Sequence, residues 1–84
     1  MKYTAQQLSN LLGVKIGQVF SVKNWDETGC HAIVSCQILN DGNIWQYWHK
    51  DYSCIMKEYE IDCLISSLHM KEEDMSSGFG IKMI

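Results

Sequence analysis

The sequence has no proline, no arginine and no long hydrophobic run. Without proline there is no sharp domain boundary, so the 84 residues are interpreted as a single domain, residues 1–84. Without arginine, the planar guanidinium that clamps phosphate or reads guanine is missing. The apolar runs of two or three residues are far shorter than the roughly 20 residues that cross a bilayer. We therefore expect no membrane span and no arginine-based contact with nucleic acid.

Positive charge is also scarce. Seven lysines face ten aspartates and glutamates, which gives a formal net charge of −3. Proteins that bind nucleic acid usually present a positive stripe, so we expect no direct binding to nucleic acid. The segment Met1–Gln7 lacks the apolar stretch of a signal peptide. This predicts a cytoplasmic protein whose four cysteines are reduced.

The cysteine, histidine and acidic residues lack the spacing along the chain that is typical of a metal site or a catalytic site. No Cys-x-x-Cys pair occurs, but a zinc-stabilised module stays an alternative because cysteine and histidine are zinc ligands. A thiol nucleophile would need Cys30 or Cys36 beside His49 across a hairpin. The acidic residues cluster along the chain, and there is no glycine-rich phosphate loop. We predict that the protein is not an enzyme and has no catalytic residue, cofactor or metal ion.

The strongest positive signal is a β-hairpin. Alternation from Cys30 to Leu39, an Asp41-Gly42 turn and the run Ile44–Trp48 are together typical of two antiparallel strands. Even-numbered side chains of the first strand form an apolar row that is predicted to face the core. These are Cys30, Ala32, Val34, Cys36 and Ile38, whereas His31, Ser35 and Gln37 occupy the other face.

The geometry of the turn decides which aromatic side chains join that core. A two-residue turn at Asp41-Gly42, the arrangement that we favour, places Trp45 and Tyr47 on the core face. A three-residue loop with its glycine in a bulge instead places Ile44 and Trp48 there.

Two helices and two further strands complete the predicted fold. Thr4 caps a helix over Ala5–Leu12 through a capping box, and Gly13 ends it. A second helix with an acidic first turn is predicted over Tyr59–His69. The other predictions are a strand over Gln18–Lys23, a polar loop over Asn24–Gly29 that contains Trp25, and a last strand with Phe79, Ile81 and Met83. The sequence thus predicts an α+β fold, a small antiparallel sheet with two short helices in the order αβββαβ.

A helix-turn-helix is the alternative interpretation of the N-terminal segment. Asn10 to Phe20 has apolar and glycine spacing similar to that motif, and the protein would then be a small nucleic-acid-binding regulator. Gly17 would lie inside the recognition helix at a cost of about 1 kcal/mol. The residues from Val19 to Val22 also favour a strand.

A cluster of aromatic residues predicts a protein-binding surface. Trp45, Tyr47, Trp48 and Tyr52 lie within eight residues, and both faces of a short strand are buried only if another layer, a second copy or another protein covers them. Neighbouring carboxylates suit a partner with a basic surface, such as a nucleic-acid enzyme. The residues predicted to contact this partner are Trp48, Asp51, Tyr52, Glu58, Glu60 and Asp62.

The N-terminal part of the chain contains a sequence pattern that is similar to one in a group of known proteins. Leu11, Leu12, Gly13, Gly17, Phe20 and Val22 form the pattern Leu-Leu-Gly-x-x-x-Gly-x-x-Phe-x-Val. This pattern resembles the start of small uncharacterised proteins encoded by phages and prophages of Gram-positive bacteria. The resemblance implies a mobile-element origin, and in that setting the size and acidic charge are similar to those of anti-CRISPR proteins. It implies a protein that blocks a host defence protein such as a CRISPR effector.

Overall fold

Five strands form one antiparallel sheet. In the computed structural model, which describes residues 2–49, 51–71 and 80–84, the strands are β1 (Phe20–Trp25), β2 (His31–Ile38), β3 (Ile44–His49), β4 (Tyr52–Ile55) and β5 (Gly80–Met83). Their order across the sheet is β4-β3-β2-β1-β5, and all neighbouring pairs are antiparallel. The predicted α+β class is confirmed.

The first helix, α1, spans Ala5–Leu12 as predicted. The Thr4 hydroxyl accepts the backbone N–H of Gln7 at 3.1 Å, and the Gln7 side chain accepts the backbone N–H of Thr4 at 2.9 Å. Gly13 ends the helix in the left-handed conformation, with φ of 70°. These are local interactions between neighbouring residues, which is why the sequence pattern predicts them.

The second helix, α2, spans Glu58–Ser66, and a 3₁₀ turn over Ser67–His69 continues it. It begins one residue before the predicted helix and ends at nearly the same place. Both helices pack on one face of the sheet, because their apolar side chains share a single core with the strands. The fully buried members of this core are Leu8, Val22, Val34, Cys36, Ile38, Ile44, Met56, Leu64 and Ile81.

The hairpin has the three-residue loop, so the favoured two-residue turn was wrong. Ile38 pairs with Ile44, and the loop between β2 and β3 closes with a hydrogen bond from the N–H of Leu39 to the carbonyl of Asn43 at 2.8 Å. Gly42 has φ of 88°, and a Cβ there would lie 2.5 Å from the carbonyl oxygen of Tyr3. The chain that enters α1 therefore packs against this loop, a tertiary contact that the turn pattern does not contain. Ile44 and not Trp45 faces the core.

The first strand lies two residues further along the chain than predicted. Asn24 and Trp25 were assigned to a loop, but both belong to β1 and are buried. The reason is pairing with β5, which places Asn24 opposite Ile81 and Trp25 opposite Gly80. A Cβ at Gly80 would lie 2.1 Å from the Trp25 ring, so the indole fills the space that a side chain at this position would need.

Four strands precede α2 instead of the predicted three, because β4 was missed. This short strand follows a bulge between Tyr47 and His49 in β3. No glycine or Asn-Gly turn precedes it, so the sequence lacks the usual signal for a hairpin at this point. At the other edge of the sheet, Ile81 and Met83 belong to a last strand, as predicted; Ile81 is buried and Met83 is partly buried against the core. Phe79 lies outside the described residues.

The segment between α1 and β1 is a turn and not a second helix. The N–H of Gly17 donates to the carbonyl of Ile38 at 2.9 Å, and Gly17 has φ of 84°. β1 begins at Phe20. The recognition helix that a helix-turn-helix requires over these residues is therefore not formed.

Candidate binding site

The helices leave one face of the sheet uncovered, and we call it the open face. Its residues follow from the alternation along each strand and the register between strands. They are Ser21, Lys23, Trp25, His31, Ile33, Ser35, Gln37, Trp45, Tyr47, Ser53, Ile55, Gly80 and Lys82. Several of the large apolar side chains on this face are accessible to solvent: Ile33 is 60% exposed, Tyr47 43% and Ile55 42%.

Two aromatic side chains of the open face are held in a fixed arrangement. Trp45 and Tyr47 contact edge to face, with ring centroids 6.3 Å apart. The Tyr47 hydroxyl donates to the Gln37 side-chain oxygen at 2.9 Å. The Gln37 amide nitrogen in turn donates to the carbonyl of Gly17 at 2.8 Å. The aromatic pair is thus connected to the backbone of the turn before β1, and ordering it on binding would cost little entropy.

The charges on the open face are all positive among the residues described there. Lys23 and Lys82 line a hollow of about 340 Å³ together with Ile33. The Lys82 ammonium donates to the carbonyls of Ser67 at 3.1 Å and Met70 at 2.5 Å. None of the described open-face residues is a carboxylate, although the chain has ten acidic residues. The acidic residues that the structure describes therefore lie outside this face.

A cavity of about 310 Å³ lies beside the loop between β1 and β2, and we call it the end pocket. Trp48 and Glu60 line it, so the structure brings together two of the six predicted partner-binding residues. Its remaining lining residues are Asn24, Trp25, Asp26, Cys30, His31 and Ala32. Trp25 and His31 stack on one another with ring centroids 6.3 Å apart. Because both of these residues also belong to the open face, the end pocket adjoins that face.

Both carboxylates of the end pocket are held by hydrogen bonds. Glu60 is 8% exposed, and one of its oxygens accepts the backbone N–H of Lys57 at 3.0 Å. Asp26 accepts the Thr28 hydroxyl at 2.6 Å and the backbone N–H groups of Thr28 and Cys30 at 2.9 and 3.2 Å. The hydrogen bonds from Thr28 lower the pKa of Asp26 most, because they favour its charged form.

The other four predicted partner-binding residues do not line the end pocket. Asp51 and Tyr52 are exposed in the turn after β3 and at the start of β4. Glu58 is exposed and lines a separate cavity of about 150 Å³ near the chain entering α1. Asp62 is partly buried in α2. Contact of these residues with a partner stays a prediction.

Sequence reasoning missed two residues that shape these surfaces. Ile33 lies on the otherwise polar face of β2, and an exposed isoleucine among His31, Ser35 and Gln37 is a signal that the pattern does contain. Trp25 carried no such signal, because its burial depends on Gly80 in a strand far along the chain.

The thiol of Cys36 is unsuited to nucleophilic chemistry. Cys36 is buried, and burial raises the pKa of its thiol to about 12, with a smaller contribution from the negative charge of Glu60. A thiol in this state is a poor nucleophile, since the thiolate is the reactive form. Within the described ranges, no group of three or more His, Cys, Asp or Glu side chains could hold a metal ion. No helix of the described chain is long and apolar enough to cross a membrane.

Comparison with protein-family models, with curated proteins and with solved structures finds no match to this chain. The open face and the end pocket are therefore the features from which a function can be inferred.

Proposed function

We propose that this protein is a non-enzymatic protein-binding module and that its partner docks on the open face. The observation that carries this proposal is a sheet face with large exposed apolar side chains around the fixed pair Trp45 and Tyr47. Tyrosine and tryptophan supply much of the binding energy of protein interfaces. Contiguous apolar surface flanked by polar groups is typical of sites that bind proteins.

The charges favour a protein partner over nucleic acid. Affinity for nucleic acid comes largely from neutralised phosphates, and the open face offers only Lys23 and Lys82. The ammonium of Lys82 already donates to two backbone carbonyls. The exposed Ile33, Tyr47 and Ile55 side chains of this face instead suit an apolar protein surface.

The identity of the partner is proposed from the resemblance of the N-terminal half to phage and prophage proteins. In this proposal the partner is a host defence protein, such as a CRISPR effector, and the module blocks it by covering a functional surface. The site of action is the cytoplasm of the bacterial host. Docking needs no catalytic group, cofactor or metal ion.

Capture of the partner from the lysate of a Gram-positive host, with and without nuclease treatment, tests this function. Ile33→Asp places a carboxylate in the centre of the open face. Val19→Asp is the matched control, because Val19 is 58% exposed and Ile33 is 60% exposed, and Val19 precedes β1. We expect one stoichiometric host protein that resists nuclease, binds the wild type and the control, and is lost with Ile33→Asp. Equal capture by both variants, or capture that disappears with nuclease, would contradict the proposal.

The double variant Trp48→Ala, Glu58→Lys tests the partner-binding residues predicted from the sequence. The sequence-based prediction is that this variant loses the same host protein while circular dichroism still shows a folded domain, whereas docking on the open face alone predicts that the variant retains it. Retained binding would remove these residues from the interface and leave the open face alone.

A further inference from the structure

The end pocket has the size and lining of a site for one small group. Its volume of about 310 Å³ is at the lower end of the range for ligand pockets, about 300–1,000 Å³. Its lining residues include two tryptophans, Trp25 and Trp48, two acidic residues, Glu60 and Asp26, and His31. No lysine is among the lining residues that the structure describes.

The lining residues of the end pocket favour a positively charged ligand. Indole is the aromatic ring that attracts cations most strongly, through the negative face of its π system. Glu60 keeps only 8% of its surface exposed, so its charge is screened less than that of a surface carboxylate. The hydrogen bond from the Lys57 N–H uses one carboxylate oxygen, and a carboxylate has several further acceptor positions. The Asn24 side chain, which is 6% exposed, adds a buried polar group to the same wall.

We propose that the end pocket binds an organic cation, an alkylammonium or guanidinium group. The cation lies against Trp25 and Trp48, and Glu60 neutralises it. A free amine and a lysine or arginine side chain of a protein share this chemistry. A lysine or arginine side chain of a partner docked on the open face can reach the end pocket, because Trp25 and His31 belong to both surfaces.

Nuclear magnetic resonance of the purified protein tests the proposal with defined probes. The chain has three tryptophans, and Trp45 is a built-in control because it lies beside Tyr47, outside the end pocket. The probes are butylammonium and the blocked amino acids Nα-acetyl-lysine methylamide and Nα-acetyl-arginine methylamide. The neutral comparison is the same lysine derivative acetylated on its side-chain nitrogen. We expect the cations to shift the indole N–H signals of Trp25 and Trp48, to leave Trp45 unchanged, and to bind at least tenfold more tightly than the neutral compound.

Glu60→Gln and Glu58→Gln form the matched pair of variants. A glutamine at position 60 keeps a side-chain oxygen for the Lys57 N–H but removes the charge, so α2 should still begin at the same residue. Glu58 lies on the same helix but outside the end pocket. We expect Glu60→Gln to weaken cation binding at least tenfold and Glu58→Gln to leave it unchanged, with both variants unfolding at the wild-type temperature within a few degrees.

The two ligand sources give different results in the same titration. Equal affinity for butylammonium and the blocked amino acids indicates a site for free amines, whereas tighter binding of the blocked amino acids indicates a polypeptide side chain. Equal binding of the neutral compound, shifts at Trp45 alone, or no response to any cation would overturn the proposal. These probes need no partner protein, so their failure and the failure of docking on the open face are separate results.

Discussion

Replacement of Gln46 by methionine should raise the free energy of unfolding. Gln46 lies in β3 on the core face, is 2% exposed, and its side-chain oxygen has no hydrogen-bond partner among the described residues. Among the described residues, its amide nitrogen donates to the Cys54 sulfur, at 3.6 Å. The core therefore contains an amide that has lost its bonds to water and replaced them with one weak bond.

The expected gain in the free energy of unfolding follows from the hydrogen bond that the Gln46 oxygen lacks. A buried polar group left without a hydrogen bond costs about 1–3 kcal/mol. Methionine is unbranched, similar in length to glutamine and able to fill irregular space, so little packing should be lost. We expect a gain of about 1–2 kcal/mol, and each kcal/mol raises the unfolding temperature of a domain of this size by about 4–8 °C.

Thermal and urea unfolding, followed by circular dichroism, measure this change. The control is Gln37→Met on the open face, which removes the hydrogen bonds to Tyr47 and Gly17 and should lower stability by about 1 kcal/mol. If Gln46→Met unfolds at a lower temperature than the wild type, the oxygen of Gln46 contributes a favourable interaction and the reasoning is refuted.

Three further predictions concern particular side chains. Gly80→Ala should lower stability by about 1–3 kcal/mol, because the new methyl group would displace the Trp25 ring; unchanged near-ultraviolet circular dichroism and unfolding temperature would contradict this. Thr4→Ala should cost about 1 kcal/mol through loss of the helix cap, again measured by thermal unfolding, and no change would mean that the cap is not formed. Alkylation at pH 8 should label the exposed Cys30 and spare Cys36, because burial raises the pKa of the Cys36 thiol to about 12. The unfolded thiol ionises near its ordinary pKa of 9.0, so stability should fall as the pH rises from about 9 towards 12; labelling of Cys36 at the rate of Cys30 would refute both statements.

Local interactions explain why parts of the fold were predictable. The capping box of Thr4 and Gln7 and the stop at Gly13 involve residues within a few positions of one another, so the bounds of α1 were predicted correctly. The length of the hairpin loop was not predictable in this way, because an Asp-Gly pair fits both a two-residue and a three-residue loop. Contact of Gly42 with Tyr3 accompanies the longer loop, and sequence alternation does not report such a contact.

The candidate site was predictable only in part. Trp48 and Glu60 were both chosen from the sequence and do share the end pocket, but Glu60 is buried instead of forming an exposed acidic rim. The pocket is assembled from β1, β2, β3 and α2, and no local pattern links these elements. Ile33 was recognisable in principle as an apolar residue on a polar face, whereas the burial of Trp25 required knowledge of its pairing with Gly80.

Side-chain footprinting of the complex with the captured partner tests docking on the open face most directly. Two exposed tyrosines serve as reporters: Tyr47 is 43% exposed on the open face, and Tyr59 is 56% exposed on α2. Hydroxyl radicals oxidise both side chains in the free protein. Docking on the open face predicts that the partner protects Tyr47 and leaves Tyr59 as reactive as before. Protection of Tyr59 with full reactivity of Tyr47 would place the partner on the helical side and contradict the proposed function.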